Sequence, residues 1–460
     1  MKNYSYLINK KSINIFLLSV VCVFIFLINK YDLNELKKNS VYIIKQNIKL
    51  VSFFSFLKIN NSFNLSKTEK VEFEIDEVKY KIKKFKFKKL KDHGPRSYIR
   101  IHDNNLFLIT GTGFMSFNSI NNVKKDQFNL DIIKSNFQKI VGVNYISEAR
   151  HVVKGFLIND DKIYISYLEK TKRGDTNFCY RNSIVVANLN YNKLRFKDFF
   201  KSKSVSCITD WGEDTRYFEK MSGGNIEYYK DNKILLTVGA FHDVKTFYKL
   251  KKNLNDTHDT NNLFGKIVSI DINSSNYEII SSGHRNPQGL YYDNKNDIIY
   301  STDHGPQGGD EINADINPIS TKIKNYGWPK SSYGEHYGFP KTKLSDGLIL
   351  DELYKLAPLK KSHAYYGFIE PLKYFNPSVA PSQIIKANHF SKESDKTTLY
   401  VATLKGRSLH KLVIDDEMNI VKHSILPFGE RIRDIIFSKE LNKILLFFES
   451  SATLATLEII

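Results

Sequence analysis

The feature of this 460-residue chain that most restricts its fold is a short pattern that occurs six times. Each occurrence places turn-forming or polar residues, mostly Asn and Asp, before a run of aliphatic, β-branched and aromatic residues. The six are DNNLFLITG from Asp103, DDKIYISYL from Asp160, DNKILLTVG from Asp231, NDIIYSTD from Asn296, KTTLYVATL from Lys396 and LNKILLFFE from Leu441. Because a turn followed by such a run is typical of a β-strand entered from a hairpin, the pattern predicts an all-β fold.

The spacing of the pattern is unequal, which indicates a degenerate repeat with insertions rather than a solenoid of fixed period. A β-propeller repeats a four-stranded unit around an axis and thereby limits its exposed sheet edges. Six occurrences therefore predict a six-bladed β-propeller over residues 66–460. Two packed β-sandwiches are the alternative, because their strands alternate in the same way.

The N-terminal segment contains an uncharged run, SINIFLLSVVCVFIFLIN, over residues 12–29. Its 18 residues are just enough to span a bilayer as a helix, and three lysines precede it. No small-residue cleavage site follows, so an uncleaved anchor is favoured over a cleaved signal peptide. The predicted segments are a cytoplasmic tail (1–11), one transmembrane signal anchor (12–29), a membrane-proximal connector (30–65) and the propeller (66–460), with the propeller outside the cytoplasm, in the periplasm or the extracellular space.

The net charge of +19 raises the question of an anionic partner. No helix-turn-helix, zinc or RNA-binding signature occurs, and the lysines are spread along strands, as in KVEFEIDEVKYKIKKFKFKKL from Lys70. A solvated basic surface is therefore favoured, and no nucleic-acid partner is predicted. The oligomeric state is left undetermined.

Three cysteines are present, and none belongs to a metal-binding spacing. Cys22 lies in the apolar N-terminal run. Cys179 and Cys207 would form a disulfide if the domain is exported, and two buried free thiols are the alternative.

Two polar loops flank the predicted strand DIIYST. The first, GHRNPQG from Gly283, offers the rigid guanidinium of Arg285 and the amide of Asn286 as donors. The second, HGPQGGDE from His304, combines a Gly-rich backbone with two carboxylates, which are the oxygen ligands that Ca²⁺ prefers. Ordinary polar turns are the alternative for both loops.

Two further basic groups come late in the chain, Lys405 in LKG and the pair Arg431 and Arg433 in GERIRD. Alternate residues of a strand point to the same face, so the two guanidinium groups would lie side by side. They require an anion or carboxylates between them, unless the strand face is simply solvated.

Taken together, these motifs resemble the soluble glucose/sorbosone dehydrogenase family. The resemblance rests on their order along the chain, over roughly residues 210–440: FGKIVSID, GHRNPQGL, TDHGPQGGDEIN, NYGWP, PSVAPS, LKG and GERIRD. Members of that family are six-bladed propellers that oxidise aldose sugars with pyrroloquinoline quinone (PQQ).

The resemblance implies PQQ and Ca²⁺ as cofactors, with a sugar as substrate or ligand. PQQ carries three carboxylates and an ortho-quinone. The implied roles are carboxylate binding by Lys405, Arg431, Arg433 and Ser378, quinone contact by Arg285 and Asn286, calcium binding by the carbonyls of Gly305 and Pro306, and a place near the sugar or in support of the loop for Asp310.

The sequence departs from the family where the proton acceptor should stand. The family's general base is a His in an H-x-G-G-R-like segment, and the matching stretch here begins with Met221. The Asp that assists that His is matched by Ala240. His242 is the candidate replacement base, with Glu219 as another.

Two functions are therefore open. One is a PQQ-dependent sugar dehydrogenase that uses an unusual base. The other is a non-catalytic propeller that retains an anion or cofactor pocket and binds a sugar, a glycan or a protein.

Overall fold

The computed structural model describes residues 62–93, 95–149, 151–173, 177–208, 221–241, 257–319, 322–337, 350–391 and 395–460. The chain divides into two units, 1–59 and 60–460, and the described residues belong to the second. The predicted tail, the anchor and most of the connector lie outside the described residues, as do Glu219 and His242. Within the described residues, no helix is long and apolar enough to cross a membrane.

Strands dominate the described residues, as the repeated pattern predicts. The first twelve are β1 (Ser62–Ile75), β2 (Val78–Phe87), β3 (Tyr98–His102), β4 (Asn105–Ile109), β5 (Met115–Ser119), β6 (Asn129–Ser135), β7 (Val153–Asn159), β8 (Lys162–Arg173), β9 (Asn177–Asn188), β10 (Lys193–Leu194), β11 (Lys197–Lys201) and β12 (Ser206–Ile208). Strand β1 thus begins inside the segment predicted as a connector.

The remaining strands follow in the same rhythm. They are β13 (Gly223–Tyr229), β14 (Lys233–Val238), β15 (Lys266–Asp271), β16 (Tyr277–Ser282), β17 (Pro287–Asp293), β18 (Ile298–Asp303), β19 (Asp310–Ile316), β20 (Lys324–Asn325), β21 (Lys373–Phe375), β22 (Pro381–Lys386), β23 (Thr397–Thr403), β24 (Ser408–Ile414), β25 (Ile420–Pro427), β26 (Ile432–Ser438), β27 (Lys443–Phe448) and β28 (Thr453–Ile459).

Helices are few and short among the described residues. The α-helices are α1 (Ile120–Lys124), α2 (Phe137–Val141), α3 (Val143–Ala149) and α4 (Leu350–Leu356), and single 3₁₀ turns cover Leu90–His93, Ala364–Tyr366 and Asn388–Phe390. Because strands make up most of the regular structure in the described residues, the fold is all-β.

The repeated pattern corresponds to one position in the sheets. Its runs become β4, β8, β14, β18, β23 and β27. The Asn and Asp residues before several of these strands have positive φ, as at Asp103, Asp160 and Asp231. Short polar side chains tolerate this left-handed backbone, which the tight turns of β-hairpins require.

The strands form five hydrogen-bonded sheets, four of them of four or five strands. These are β7-β8-β9-β11, β13-β14-β15-β16-β20, β17-β18-β19-β21 and β22-β23-β24-β25, with β12 pairing β9. The fifth runs β26-β27-β28-β2-β1-β6-β5-β4-β3, with β10 pairing β6. In it, the hairpin β1–β2 joins the end of the chain to β6.

The starting strands of the sheets contact one another in a closed series. Strand β3 contacts β7, which contacts β13, and the series continues through β17, β22 and β26 back to β3. Hydrophobic clusters fill the spaces between neighbouring sheets; one joins Ile384 and Leu399 to Tyr300 and Ile312. A ring of sheets with apolar cores between them is a β-propeller.

One covalent crosslink stabilises the second sheet. Cys179 on β9 and Cys207 on β12 are paired across the ladder, and their sulfur atoms are 2.07 Å apart. The alternative of two buried free thiols is therefore not what the structure has.

Candidate functional site

A cavity of about 870 Å³ opens where several sheets present the same edge. In an antiparallel sheet, the start of the first strand and the connection from the second strand to the third lie at one edge. Eight of the ten residues predicted for the site line this cavity: Arg285, Asn286, Gly305, Pro306, Asp310, Ser378, Lys405 and Arg431. They come from segments before β17, β22 and β26 and from the β18–β19 and β23–β24 connections.

The loop that carries Arg285 and Asn286 is fixed by a carboxylate at the end of β18. Asp303 accepts hydrogen bonds from the backbone N–H groups of Arg285 (3.0 Å) and Asn286 (2.6 Å). Its Oδ2 also lies 3.4 Å from Nδ1 of the buried His284. The two loops that flank this strand are thus held together by the strand's own last residue.

The guanidinium of Arg285 is nearly buried. Its NH1 donates to the carbonyls of His304 (3.0 Å) and Gly305 (2.8 Å), and its plane lies over Trp328 at 5.2 Å. Within the described part of the chain, Nε has no hydrogen-bond partner. A buried cation with an unused donor is a binding group for an anionic or carbonyl ligand, because burial strengthens such a contact.

Asp310 is buried and satisfied by hydrogen bonds. It accepts from the backbone of Gly305 (3.0 Å), Val379 (2.7 Å) and Ala380 (2.6 Å), and from the hydroxyl of Ser378. The resemblance implies either a place near the sugar or support of the loop for Asp310. These contacts favour support of the loop. They also occupy the Ser378 hydroxyl, which was expected to donate to a cofactor carboxylate.

Arg431 and Arg433 share one carboxylate that sequence reasoning missed. Glu449, just past β27, accepts from Nε of Arg433 at 2.6 Å and from Nε of Arg431 at 3.3 Å. Burial alone would raise the pKa of Glu449, but Arg433 and Arg96 lower it to about 2. Arg433 is buried and is not part of the cavity lining, so it acts on the cavity through Glu449 and Arg431.

The position expected for the general base is occupied by a side chain that cannot accept a proton. Met221 lines the cavity, and the nearby Gly223 N–H donates to Asn286 Oδ1 at 3.2 Å. Ala240 is buried, and its N–H donates to the carbonyl of Arg285 at 2.8 Å. Neither member of the family's proton-transfer pair is therefore present at these two positions.

An imidazole that sequence reasoning passed over also lines the cavity. His304 Nε2 lies 2.7 Å from the carbonyl of Pro381, so Nε2 carries the proton and Nδ1 is the acceptor. Burial lowers the pKa of His304, which keeps the ring neutral at neutral pH. The sequence did hold a signal for His304, since it begins the HGPQGG loop. It was passed over because that loop was assigned only to metal binding.

Behind the cavity, alternate residues of β19 form a buried polar row. Glu311, Asn313 and Asp315 share one face of the strand. Burial raises the pKa of Glu311 and of Asp315. Asp315 Oδ2 and Asn313 Oδ1 have no hydrogen-bond partner within the described ranges. The other carboxylate oxygen of Asp315, Oδ1, is paired with Nζ of Lys324 at 2.5 Å, so this end of the row already has a counter-charge.

Comparisons with known proteins identify the family. The family described as glucose/sorbosone dehydrogenase matches residues 153–454. The aldose sugar dehydrogenase YliI of Escherichia coli is 26% identical over 244 residues, which are 51% of this chain and 60% of that protein. The matched parts of the curated relatives make up 33% to 65% of their lengths.

Solved structures of the same architecture support the fold. The soluble aldose sugar dehydrogenase of Escherichia coli, in its apo form, aligns with a TM-score of 0.55 at 17% identity, over 85% of this chain and 99% of that one. The PQQ-bound aldose sugar dehydrogenase of Streptomyces coelicolor aligns with a TM-score of 0.52 at 15% identity, over 86% and 99%. With the family match extending over most of the propeller, this chain belongs to the glucose/sorbosone dehydrogenase family.

Proposed function

We propose that this protein is a PQQ-dependent dehydrogenase that oxidises the C1 hydroxyl of an aldose. The observation that carries the proposal is the convergence of Arg285, Lys405 and Arg431 on one cavity. Three cations around a cavity of about 870 Å³ suit a small polyanion. A relative whose structure is PQQ-bound supports the choice of this anion.

The donors of the cavity fit PQQ by chemistry. Lys405 and Arg431 would bind its carboxylates, and Arg433 would act indirectly by orienting Glu449. The guanidinium of Arg285 and the amide of Asn286, which both line the cavity, would contact the quinone oxygens. Ser378 would bind a carboxylate only by releasing Asp310. Charge-assisted contacts of this type contribute about 1.5–3 kcal/mol each.

Calcium is proposed at the same edge of the propeller. Gly305 and Pro306 line the cavity, although the Gly305 carbonyl also accepts from Arg285. PQQ, when bound, supplies the quinone that accepts a hydride from the sugar.

The protein's own part in the reaction is to bind, orient and accept a proton. Arg285 and Asn286 are held rigidly by Asp303, and Asp310 keeps the two neighbouring loops in register. The C1 hydroxyl proton requires an acceptor, which Met221 cannot be. Among the described cavity residues, Nδ1 of His304 is a neutral nitrogen that can take it, and His242 remains the alternative outside the described ranges.

Reconstitution tests this function. Purified protein incubated with PQQ and Ca²⁺ should reduce a redox dye when an aldose is added, and neither cofactor alone should support the reaction. Cofactor binding without turnover on any member of an aldose panel would refute the dehydrogenase. That result would favour the second candidate, a non-catalytic sugar-binding or protein-binding propeller, for which Met221 and Ala240 are the motivating observation.

We also propose that the ring contains six blades and lies outside the cytoplasm. The ten-stranded sheet would count as two blades, β26-β27-β28-β2 and β3 to β6, bridged by β1. An apolar run at residues 12–29 would anchor the propeller to the membrane. The Cys179–Cys207 disulfide is in keeping with an oxidising compartment.

The proposed location outside the cytoplasm predicts that reagents added to intact cells reach the propeller. Protease added outside intact cells, after permeabilisation of any outer membrane, should digest the propeller, while a cytoplasmic control protein survives. Full protection of the propeller would refute the proposed location. When intact cells are treated with an alkylating reagent without reduction, neither Cys179 nor Cys207 should be labelled.

A further inference from the structure

Exposed aromatic side chains are concentrated in one part of the described sequence, and one of them, Tyr337, lines the cavity. Among the described residues, five aromatic side chains are exposed, and four of them belong to a short part of the sequence: Tyr337, Tyr365, Tyr366 and Tyr374. The fifth, Tyr191, lies between β9 and β10. Single exposed aromatic residues are common on folded proteins, whereas a cluster of them often marks a binding surface.

One of these rings is held in a fixed orientation by a stack of three. His363 stacks on Tyr333 with ring centres 5.3 Å apart and a 15° angle, and Tyr333 stacks on Tyr374 at 3.9 Å and 8°. Tyr333 is further fixed because its hydroxyl donates to Glu370 at 2.7 Å. Tyr374 is the outermost ring and is 48% exposed, so its side away from Tyr333 faces solvent.

The stack lies close along the chain to residues that line the cavity, although none of its three rings is part of the lining. Tyr333 is two residues before Glu335 and Tyr374 is two residues before Asn376, and both Glu335 and Asn376 line the cavity. Two extended residues span about 7 Å. The cavity loop itself is hydrogen-bonded to both segments, through Gln307 with Glu335 (2.9 Å) and through Gly309 N–H to the Phe375 carbonyl (2.8 Å).

We propose that the outer face of Tyr374 is a subsite for the second sugar unit of a neutral oligosaccharide whose reducing end enters the cavity. This rests on the proposed function, which places the oxidised C1 hydroxyl in the cavity. A pyranose ring offers a C–H face that packs on an aromatic ring while its hydroxyls stay in water. Glu335, which lines the cavity, is paired with Lys361 at 2.9 Å, so its charge is balanced and it leaves no free anion to bind a cationic ligand.

Calorimetry on the PQQ- and Ca²⁺-loaded protein tests the subsite with glucose, maltotriose and cellotriose. At least one trisaccharide should bind about tenfold more tightly than glucose, and Tyr374→Ala should remove that advantage, since one buried aromatic face contributes roughly one factor of ten. Tyr374→Phe keeps the ring and should bind like the parent. Tyr191→Ala, which removes an exposed tyrosine elsewhere, should leave all affinities unchanged.

The subsite is refuted if both trisaccharides bind no better than glucose, or if Tyr374→Ala binds them as the parent does. Dye reduction separates this failure from failure of the proposed function. Trisaccharide binding that depends on Tyr374, without turnover, would contradict the dehydrogenase alone. Turnover with equal kcat/KM for glucose and both trisaccharides would contradict the subsite alone. Melting temperatures of the three variants establish that each is folded.

Discussion

Sugar-dependent dye reduction by the reconstituted protein should fall by at least about 100-fold when Arg285 is replaced by alanine, because two or more charge-assisted contacts are lost together. The guanidinium donates to the carbonyls of His304 and Gly305, and Arg285 lines the cavity. Its removal takes away a donor for the quinone oxygens and loosens the loop that would bind Ca²⁺.

Two variants show whether the loss belongs to the site. Arg285→Lys keeps the charge but not the planar fork, so it should recover only a small part of the activity. Arg195→Ala removes an exposed arginine that lies against a different cavity and should behave like the parent protein. If Arg285→Ala keeps its activity within about twofold of the parent, Arg285 takes no part in cofactor binding or catalysis. PQQ affinity, followed by absorbance titration, distinguishes weaker cofactor binding from slower turnover.

Replacing Met221 by histidine should raise turnover by about 100-fold, which is the lower range of what general base catalysis contributes. The backbone there is fixed, because the Met221 carbonyl accepts from Phe241 N–H at 2.9 Å. A histidine side chain would therefore face the cavity that Met221 lines.

The pH profile gives this gain a signature that better packing would not produce. An added imidazole with an ordinary pKa of about 6.5 accepts a proton only after losing its own, so the gain should appear as pH rises through that value. Met221→Gln, of similar length and without a base, should not show the gain. An unchanged rate in Met221→His at every pH would mean that another group, such as His304, already accepts the proton.

The strands were predictable from sequence because their signals are local. Each Asn or Asp turn and the apolar run after it lie within ten residues, and turn residues such as Asp160 and Asp231 adopt the left-handed backbone that their side chains favour. The same holds for the polar loops around β18, where Asp303 and Arg285 are joined by a hairpin.

The roles within the site were less predictable because they depend on partners far away in the sequence. Asp310 receives its hydrogen bonds from Ser378, Val379 and Ala380, in the loop that precedes the next sheet. Arg431 and Arg433 look alike in sequence, yet only Arg431 lines the cavity, and both pair with Glu449 at the end of the neighbouring strand. No local pattern indicates such pairings.

The pairing of β2 with β28 has a consequence for biosynthesis. It joins Tyr80 to Ile459, so a strand near the start of the described residues pairs with one that is synthesised much later. Until Thr453–Ile459 is made, this edge of β2 exposes unpaired backbone groups, and such edges promote aggregation. We therefore expect a chain cut before β28 to keep that edge of β2 open and to aggregate more readily than the full chain.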